Sequence, residues 1–461
     1  MILVGNKYFS IRSLACFLME TCIILLSVVF SFMMLYGFGN NIISMQEVVA
    51  RALLITVFCQ LCMYLLDLYD FRLLRTFGET LFSLGITVGV ACVGIGLLSF
   101  FITSFATAGS MYYMSMGVAA VSLLTWRMLF EFYITKLAPR DNILIVGTGD
   151  VAQKIGDEIR KNERLGFNLS GYISIHADEE LRPGLKPLGS SEQMEKIIEE
   201  HNINMVIVAI TERRGKYPVK ELLALRVSGC PVVEWPEFFE KISGRILIDN
   251  LAPSYFIFNE GFEKSAVYMM FRRIISCTCA AVALVLLSPL FIAAAIAIKL
   301  DSPGPIIYSQ VRVGRNGKRI RIHKFRSMRK DAEVGNKAVW AVENDPRITR
   351  VGHFMRKTRI DELPQLVNVL FGDLEFVGPR PERPEFVETL QVQIPYYALR
   401  HTVKPGLTGW AQVMFHYCGT IDESKEKLQY DLFYIKNMSL KLDIFIMFHT
   451  MKIVLLGRGA R

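Results

Sequence analysis

The 461-residue chain lacks most of the patterns that mark common enzyme chemistries. Its seven histidines and nine cysteines nowhere cluster at zinc spacing, which argues against a zinc site. Cys16, Cys22, Cys59, Cys62, Cys92, Cys277 and Cys279 fall in apolar runs, and only Cys230 and Cys418 in polar surroundings. Reduced thiols are therefore expected and a disulfide framework is not. Cys59-Gln60-Leu61-Cys62 has CxxC spacing, but inside an apolar helical pattern it reads as packing. No Tyr-x-x-x-Lys pair occurs, which argues against redox chemistry and against a dehydratase or epimerase. A cleavable signal peptide is not expected either: the first apolar stretch is too long for an h-region and has no small-residue cleavage site.

What the chain has in plenty is apolar sequence. Hydrophobic residues make up 52% and mean hydropathy is +0.34, with the excess near the N-terminus. Four stretches, about 14–38, 48–68, 81–105 and 112–134, each reach the roughly 20 residues that cross a bilayer. Arg72 and Arg75 lie in the connection after the second, and Lys136 and Arg140 follow the fourth. The loops 39–46 and 107–110 carry no Lys or Arg. The positive-inside rule then places the N-terminus and everything after Lys136 in the cytoplasm. Net charge is +9, mostly beyond residue 136. Beside membrane segments such a basic face suits anionic lipid and anionic substrate, and no nucleic-acid partner is expected.

Residues 139–265 alternate strand and helix patterns, which predicts a Rossmann-like, doubly wound domain after the four-helix transmembrane domain of residues 1–138. Expected strands are 142–146, 171–175, 205–210 and 231–234, and expected helices 151–161, 191–201 and 219–228. Gly147-x-Gly149-x-x-Ala152 suits a dinucleotide pyrophosphate, with Asp178 as a ribose ligand. Alternatively the glycines only close a tight turn in a packing or oligomerisation domain, and a homodimer is expected.

A further apolar run, about 274–298, is broken near its middle by Ser288-Pro289 and flanked by Arg272, Arg273 and Lys299. Proline removes a helical hydrogen bond, and basic residues on both sides favour one face of the membrane. A re-entrant hairpin is the expectation, with Ser288 helping to satisfy the broken backbone; a kinked span is the alternative. The amphipathic stretch 435–456 is read as an interfacial or core helix.

The remaining sequence, within a third domain of residues 266–461, carries the candidate chemistry on a small α/β fold. Arg359-Ile360-Asp361-Glu362-Leu363-Pro364-Gln365 sets two acids before a proline-started helix, with Leu363 pushed out of the α region by Pro364. Anions are favoured at that helix entrance, and adjacent acids point in different directions, so one can attack phosphorus while the other holds Mg²⁺ or tunes its neighbour. Lys324, Arg326, Arg347, Arg380 and Lys404 supply cations for phosphate, and Pro379 and Pro381 fix the turn around Arg380.

These blocks resemble the bacterial sugar transferases, the monotopic polyprenyl-phosphate hexose-1-phosphate transferases. The likeness rests on 324–328, 345–349, Asp361–Gln365, Gly372–Pro381, 404–412 and Tyr430-Asp431 through Asp443. Four spans and a Rossmann-like unit resemble the long form, and Arg380–Pro384 with the ending Gly457–Arg461 resembles the subgroup tied to exosortase-associated exopolysaccharide loci. The resemblance implies that Asp361 attacks a UDP-sugar, releases UMP and passes the phosphosugar to undecaprenyl phosphate. It also implies Mg²⁺ at Asp361 and Glu362, the nucleotide diphosphate at Arg380, and the family's helix break at Ser288-Pro289. Leu374-Glu375-Phe376 and 414–418 depart from the family pattern. A non-catalytic scaffold for polysaccharide assembly is the reading from another class.

Overall fold

The computed structural model describes residues 2–4, 7–9, 11–36, 45–65, 68–69, 78, 81–82, 84–91, 93, 109–133, 140–161, 166–175, 187–210, 217–249, 251–329, 347–415 and 420–455. The chain folds as two compact units, Met1–Trp235 and Pro236–Arg461. The segment 236–265, grouped above with the sheet domain, lies in the second unit. There Trp410 Nε1 donates to the Gly244 carbonyl (2.7 Å) and Tyr396 Oη to that of Leu251 (2.9 Å).

Among the described residues, four helices are long and apolar enough to cross a membrane, in segments Leu14–Leu35, Gln46–Tyr64, Tyr113–Phe132 and Ala266–Leu286. Three belong to the first unit: α1 (Ile11–Tyr36), α2 (Met45–Leu65) and α3 (Gly109–Phe132). They share a core of Ile24, Val28, Ile55, Met63, Met116 and Leu123, while Leu26, Val57 and Val121 are exposed on the outside. Helices apolar on both faces suit lipid rather than water. The third expected span lies largely outside the described residues, although Leu84 and Ala91 join the same core. Within the bundle Glu20 pairs with Arg127 (Nε–Oε1 2.5 Å), whose NH1 donates to the Leu68 carbonyl (2.8 Å). Pairing is what makes two buried charges tolerable there.

This unit also contains a five-stranded parallel sheet of β1 (Asp141–Val146), β2 (Phe167–Ser174), β3 (Pro187–Ser190), β4 (Met205–Val208) and β5 (Val232–Glu234), in the order β3-β2-β1-β4-β5. Helices α4 (Asp150–Lys161), α5 (Met194–Glu200) and α6 (Val219–Val227) accompany it. Leu144, Val146, Ile173, Val206 and Val208 are buried, as parallel strands require. Strand β3 was not anticipated from sequence. Gly147 takes φ +119°, and a Cβ there would lie 2.9 Å from the Ala209 carbonyl oxygen, so only glycine fits. Gly149 has nothing within 4 Å of the corresponding position. Asp178 lies outside the described residues.

In the second unit, α7 (Ala266–Leu286) and α8 (Ser288–Asp301) meet at a break. Leu287 (φ −90°, ψ 2°) joins them, Pro289 sits in the first turn of α8, and the Ser288 hydroxyl donates to the Val285 carbonyl (2.7 Å). Both arms are anchored away from the break on the same fold. Arg272 bonds to Asp443 (2.8 Å), Tyr434 Oη (2.8 Å) and the Val377 carbonyl; Arg273 donates to the carbonyls of Val369 (2.6 Å) and Leu370 (2.8 Å). Ala294 and Ile298 of α8 pack with Phe325 and Met355. At the break, Val285 and Leu286 are each 72% exposed.

Beyond α8 come an antiparallel hairpin, β6 (Ile307–Val313) with β7 (Arg319–Phe325), then α9 (Arg350–Lys357) and α10 (Gln365–Phe371). A short parallel pair follows, β8 (Glu375–Val377) and β9 (Gly406–Thr408). The C-terminal stretch read as one helix over 435–456 is broken at Met438, giving α11 (Ile421–Asn437) and α12 (Leu440–Leu455). Leu442 and Ile446 of α12 are buried, and Ile444, Phe448 and Met451 exposed.

Candidate active site

The acid pair sits on a short turn between α9 and α10. Thr349 caps α9, its Oγ1 accepting from Gly352 N, and just beyond the helix's C-cap Thr358 comes Arg359, which takes the left-handed conformation (φ 58°). A non-glycine residue held there is uncommon, and such strain gathers at functional sites. Ile360–Glu362 then forms one 3₁₀ turn.

Contrary to expectation, Leu363 adopts α geometry (φ −56°, ψ −37°) ahead of Pro364. The Ile360 carbonyl, which would look to residue 364 for an α-helical partner, accepts instead from Leu363 N (3.1 Å). Tightening the turn by one residue removes the demand for the N–H that proline lacks. Asn368 lashes α10 to β7, accepting from His323 N (3.0 Å) and donating to the Arg321 carbonyl (2.8 Å). That contact brings Lys324 to the acids.

The two carboxylates are buried to a similar degree, Asp361 8% and Glu362 9% exposed, but differ in their partners. Glu362 Oε1 receives Lys324 Nζ (2.9 Å) and Arg380 NH2 (2.7 Å), with Arg359 NH1 at 3.9 Å. Burial alone would raise its pKa, but Arg380, Lys324 and Arg359 together hold it well below the usual carboxylate range. Asp361 is shifted the other way. Burial and then the neighbouring Glu362 charge raise its pKa, against the pull of Lys324, Arg356 and Arg359. Its Oδ1 is buried without a hydrogen-bond partner. Glu362 is thus a permanently ionised tether for two cations. Asp361 presents a desolvated carboxylate with a free oxygen, the condition of an activated nucleophile or of a ligand waiting for a cation. No cluster of three or more metal-ligating side chains occurs among the described residues.

The other residues singled out from sequence fall in different places. Pro379 and Pro381 frame Arg380: the Pro379 carbonyl accepts from Gly406 N (3.0 Å) and that of Pro381 from Arg312 (3.3 Å). Arg326 is spent on the end of α8, donating to the carbonyls of Ser302 (2.6 Å) and Pro303 (3.1 Å). Lys404 turns to Glu375 (3.8 Å) at the C-terminal end of α10, where Arg273 also approaches Glu375 (3.9 Å), whereas the acid pair precedes the N-terminal end. Arg347 precedes α9, its carbonyl accepting from Arg329 N (3.0 Å).

Sequence reasoning missed Arg359, Arg356 and a second charged cluster behind Arg380. There Glu382 meets Lys427, Arg312 (3.8 Å) and Arg400 (3.9 Å), and Arg400 also meets Asp431 (2.8 Å) and donates to the Arg380 carbonyl (2.9 Å). The αL conformation of Arg359 leaves no signal in sequence. The second cluster joins residues distant along the chain, and only the 380–384 run and Asp431 had attracted notice.

The profile of the family described as "Bacterial sugar transferase" matches residues 267–457, and one described as "CoA-binding domain" matches 64–233. The chain is 43% identical over 231 residues to the UDP-N-acetylgalactosamine-undecaprenyl-phosphate N-acetylgalactosaminephosphotransferase of Aeromonas hydrophila, covering 50% of this chain and 54% of that one. It is 32% identical over 351 residues to the UDP-glucose:undecaprenyl-phosphate glucose-1-phosphate transferase of Xanthomonas campestris pv. campestris, covering 72% and 70%. The chain belongs to the bacterial sugar transferase family. Escherichia coli (strain K12) has a relative of the same name as the Xanthomonas one, 34% identical over 316 residues and covering 67% of this chain and 66% of its own length. The family match contains the Asp361–Glu362 pair, both of its nearest cations and the broken helix.

Proposed function

We propose that this membrane protein transfers a sugar 1-phosphate from a UDP-sugar to undecaprenyl phosphate, the first step of a lipid-linked exopolysaccharide. The relatives' names support the reaction class. The observation that carries the mechanism is the unpartnered Asp361 Oδ1 beside a fully neutralised Glu362. In the first step an Asp361 oxygen bonds to the sugar-bearing phosphorus. The bond from that phosphorus to the bridging oxygen breaks, and UMP leaves with the electron pair. In the second, the phosphate oxygen of the polyprenyl acceptor attacks the aspartyl phosphosugar and the Asp361 carboxylate departs. Splitting one displacement into two lets a single carboxylate serve both halves.

Glu362 holds Lys324 and Arg380 where the diphosphate charge gathers, so the cations need no rearrangement at the moment of reaction. Asp361 and Glu362 are the residues that would hold Mg²⁺. With two carboxylates rather than a cage, the remaining ligands would be substrate phosphates and water, as that ion prefers. When bound, the cation neutralises charge on the diphosphate.

The α7–α8 pair is read as a re-entrant hairpin on the cytoplasmic face of the inner membrane, bringing a lipid acceptor to the site. In support, both arms are anchored on one folded unit while the apolar tip at Val285–Leu286 is exposed. The parallel sheet is read as Rossmann-like from its strand order, with β1 beside β4 at the switch point.

The test is release of UMP by detergent-solubilised protein supplied with undecaprenyl phosphate, Mg²⁺ and a panel that includes UDP-glucose and UDP-N-acetylgalactosamine. UMP from one donor, lost in Asp361→Asn, is expected. UDP in its place would mean glycosyl rather than phosphoglycosyl transfer.

A further inference from the structure

Asp361 is not alone in lacking a partner. Gln365, 3% exposed at the start of α10, has its Nε2 buried without an acceptor. Backbone geometry runs helically from Ile360 through Leu363 and Pro364 into α10. Residues three and four apart on such a path are neighbours, so Gln365 follows one turn beyond both acids, Glu362 and Asp361. Asp361 is an acceptor or nucleophile and Gln365 a donor, yet neither satisfies the other. A buried amide without a partner forfeits the hydrogen bonds it makes in water, and beside a reactive group such an atom points to a catalytic role or to a ligand that completes it. A phosphoryl group completes both at once, offering phosphorus to the Asp361 oxygen and a non-bridging oxygen to the Gln365 amide.

We propose that Gln365 is a catalytic residue whose side-chain amide donates a hydrogen bond to a non-bridging oxygen of the phosphoryl group that becomes attached to Asp361. The proposal rests on the transfer reading above. As the Asp361–phosphorus bond forms and the bond to the UMP oxygen breaks, charge spreads over the oxygens that stay on phosphorus. Lys324 and Arg380 reach the site while tethered to Glu362, one residue and a different direction away. A buried donor fixed one turn beyond the acid pair is free for an oxygen those cations leave. Being neutral, it adds a directed hydrogen bond without drawing Asp361 into an ion pair that would blunt its attack.

The experiment compares the full chain with Gln365→Met and Gln365→Glu, following UMP release against donor concentration together with the melting temperature. Gln365→Met keeps the volume and removes the donor. The expected result is a kcat lowered about 30-fold with KM changed less than about threefold, the pattern of an interaction made in the transition state. Its melting temperature should equal or exceed that of the wild type, because a buried donor without an acceptor has gone. Gln365→Glu should lose more activity than Gln365→Met, since a carboxylate there repels the phosphoryl oxygens. A Gln365→Met kcat within about twofold of wild type would overturn the assignment while leaving the transfer reading intact. So would a fall in melting temperature that tracks the loss of activity, which would mark a structural amide. Absence of UMP release from the wild type with every donor would instead bring down the transfer reading itself.

Discussion

Glu362, buried, and Glu382, partly buried, are acids ringed by three cations, and each has a second acid nearby. Around Glu382 the cations are Lys427, Arg400 and Arg312, and the second acid, Asp431, shares Arg400 with it, at 2.8 Å. Around Glu362 they are Lys324, Arg380 and Arg359, and the second acid, Asp361, keeps a free oxygen. Burial raises the pKa of Asp361 and of Asp431 alike, so desolvation does not separate them. Partnering does. Asp431 Oδ2 makes no hydrogen bond either, but it is ion-paired with Arg400; a cluster whose second acid is ion-paired holds a loop in place, whereas one whose second acid has no such partner is ready to accept a ligand. The first orients the second, because Arg400 also grips the Arg380 carbonyl.

The sharpest way to break this contrast is to remove one cation from the site. Arg380→Met should lower UMP release by about 10³-fold, or about 4 kcal/mol of transition-state stabilisation, with a smaller loss of melting temperature than Glu382→Gln because Lys324 still answers Glu362. A loss of melting temperature as large as that of Glu382→Gln would make the Glu362 cluster structural like its neighbour. The mirror-image change, Glu382→Gln, strands three cations in the interior and should cost about 3–4 kcal/mol of stability, read by denaturant unfolding of the C-terminal unit.

Acidity separates the regions further. His401, beside Arg400, is pushed down to about 4 by burial and then by that guanidinium. The folded protein keeps it neutral while the unfolded chain takes up a proton below pH 6.5, so stability falls as pH drops from 6.5 to about 4, by about 3 kcal/mol. His401→Gln should flatten that part of the melting-temperature profile. Glu382, held at about 2 against a usual 4.5 because its cations outweigh burial, adds a separate loss only below pH 4.5. The smallest effect is expected in the sheet domain. Gly147→Ala should destabilise by about 1–3 kcal/mol and Gly149→Ala by under about 1, since only the former has positive φ and a carbonyl in the way.

Much of this arrangement was legible beforehand, for particular reasons. The strand–glycine–helix run at 142–152, the Ser288-Pro289 break and the adjacent acids are each local, with spacing fixed by backbone geometry. Strand β3 escaped notice because Pro187-Leu188-Gly189-Ser190 has neither alternation nor β-branched residues and is held by its pairing with β2. Arg326 and Lys404 looked like phosphate ligands because sequence shows a cation but not its direction. One caps the end of α8, and the other faces Glu375. Leu363 defied the usual effect of a following proline because the preceding turn tightens to 3₁₀, a tertiary adjustment that carries no compositional mark.

The central claim is that Asp361, and not Glu362, forms the bond to phosphorus. Mass spectrometry of the protein incubated with its UDP-sugar and without lipid acceptor tests it most directly. The account predicts a single sugar-phosphate adduct on the peptide carrying residue 361, acid-stable enough to map and missing from Asp361→Asn, while Glu362→Gln still forms it slowly. An adduct on Glu362, or one that persists in Asp361→Asn, would contradict it.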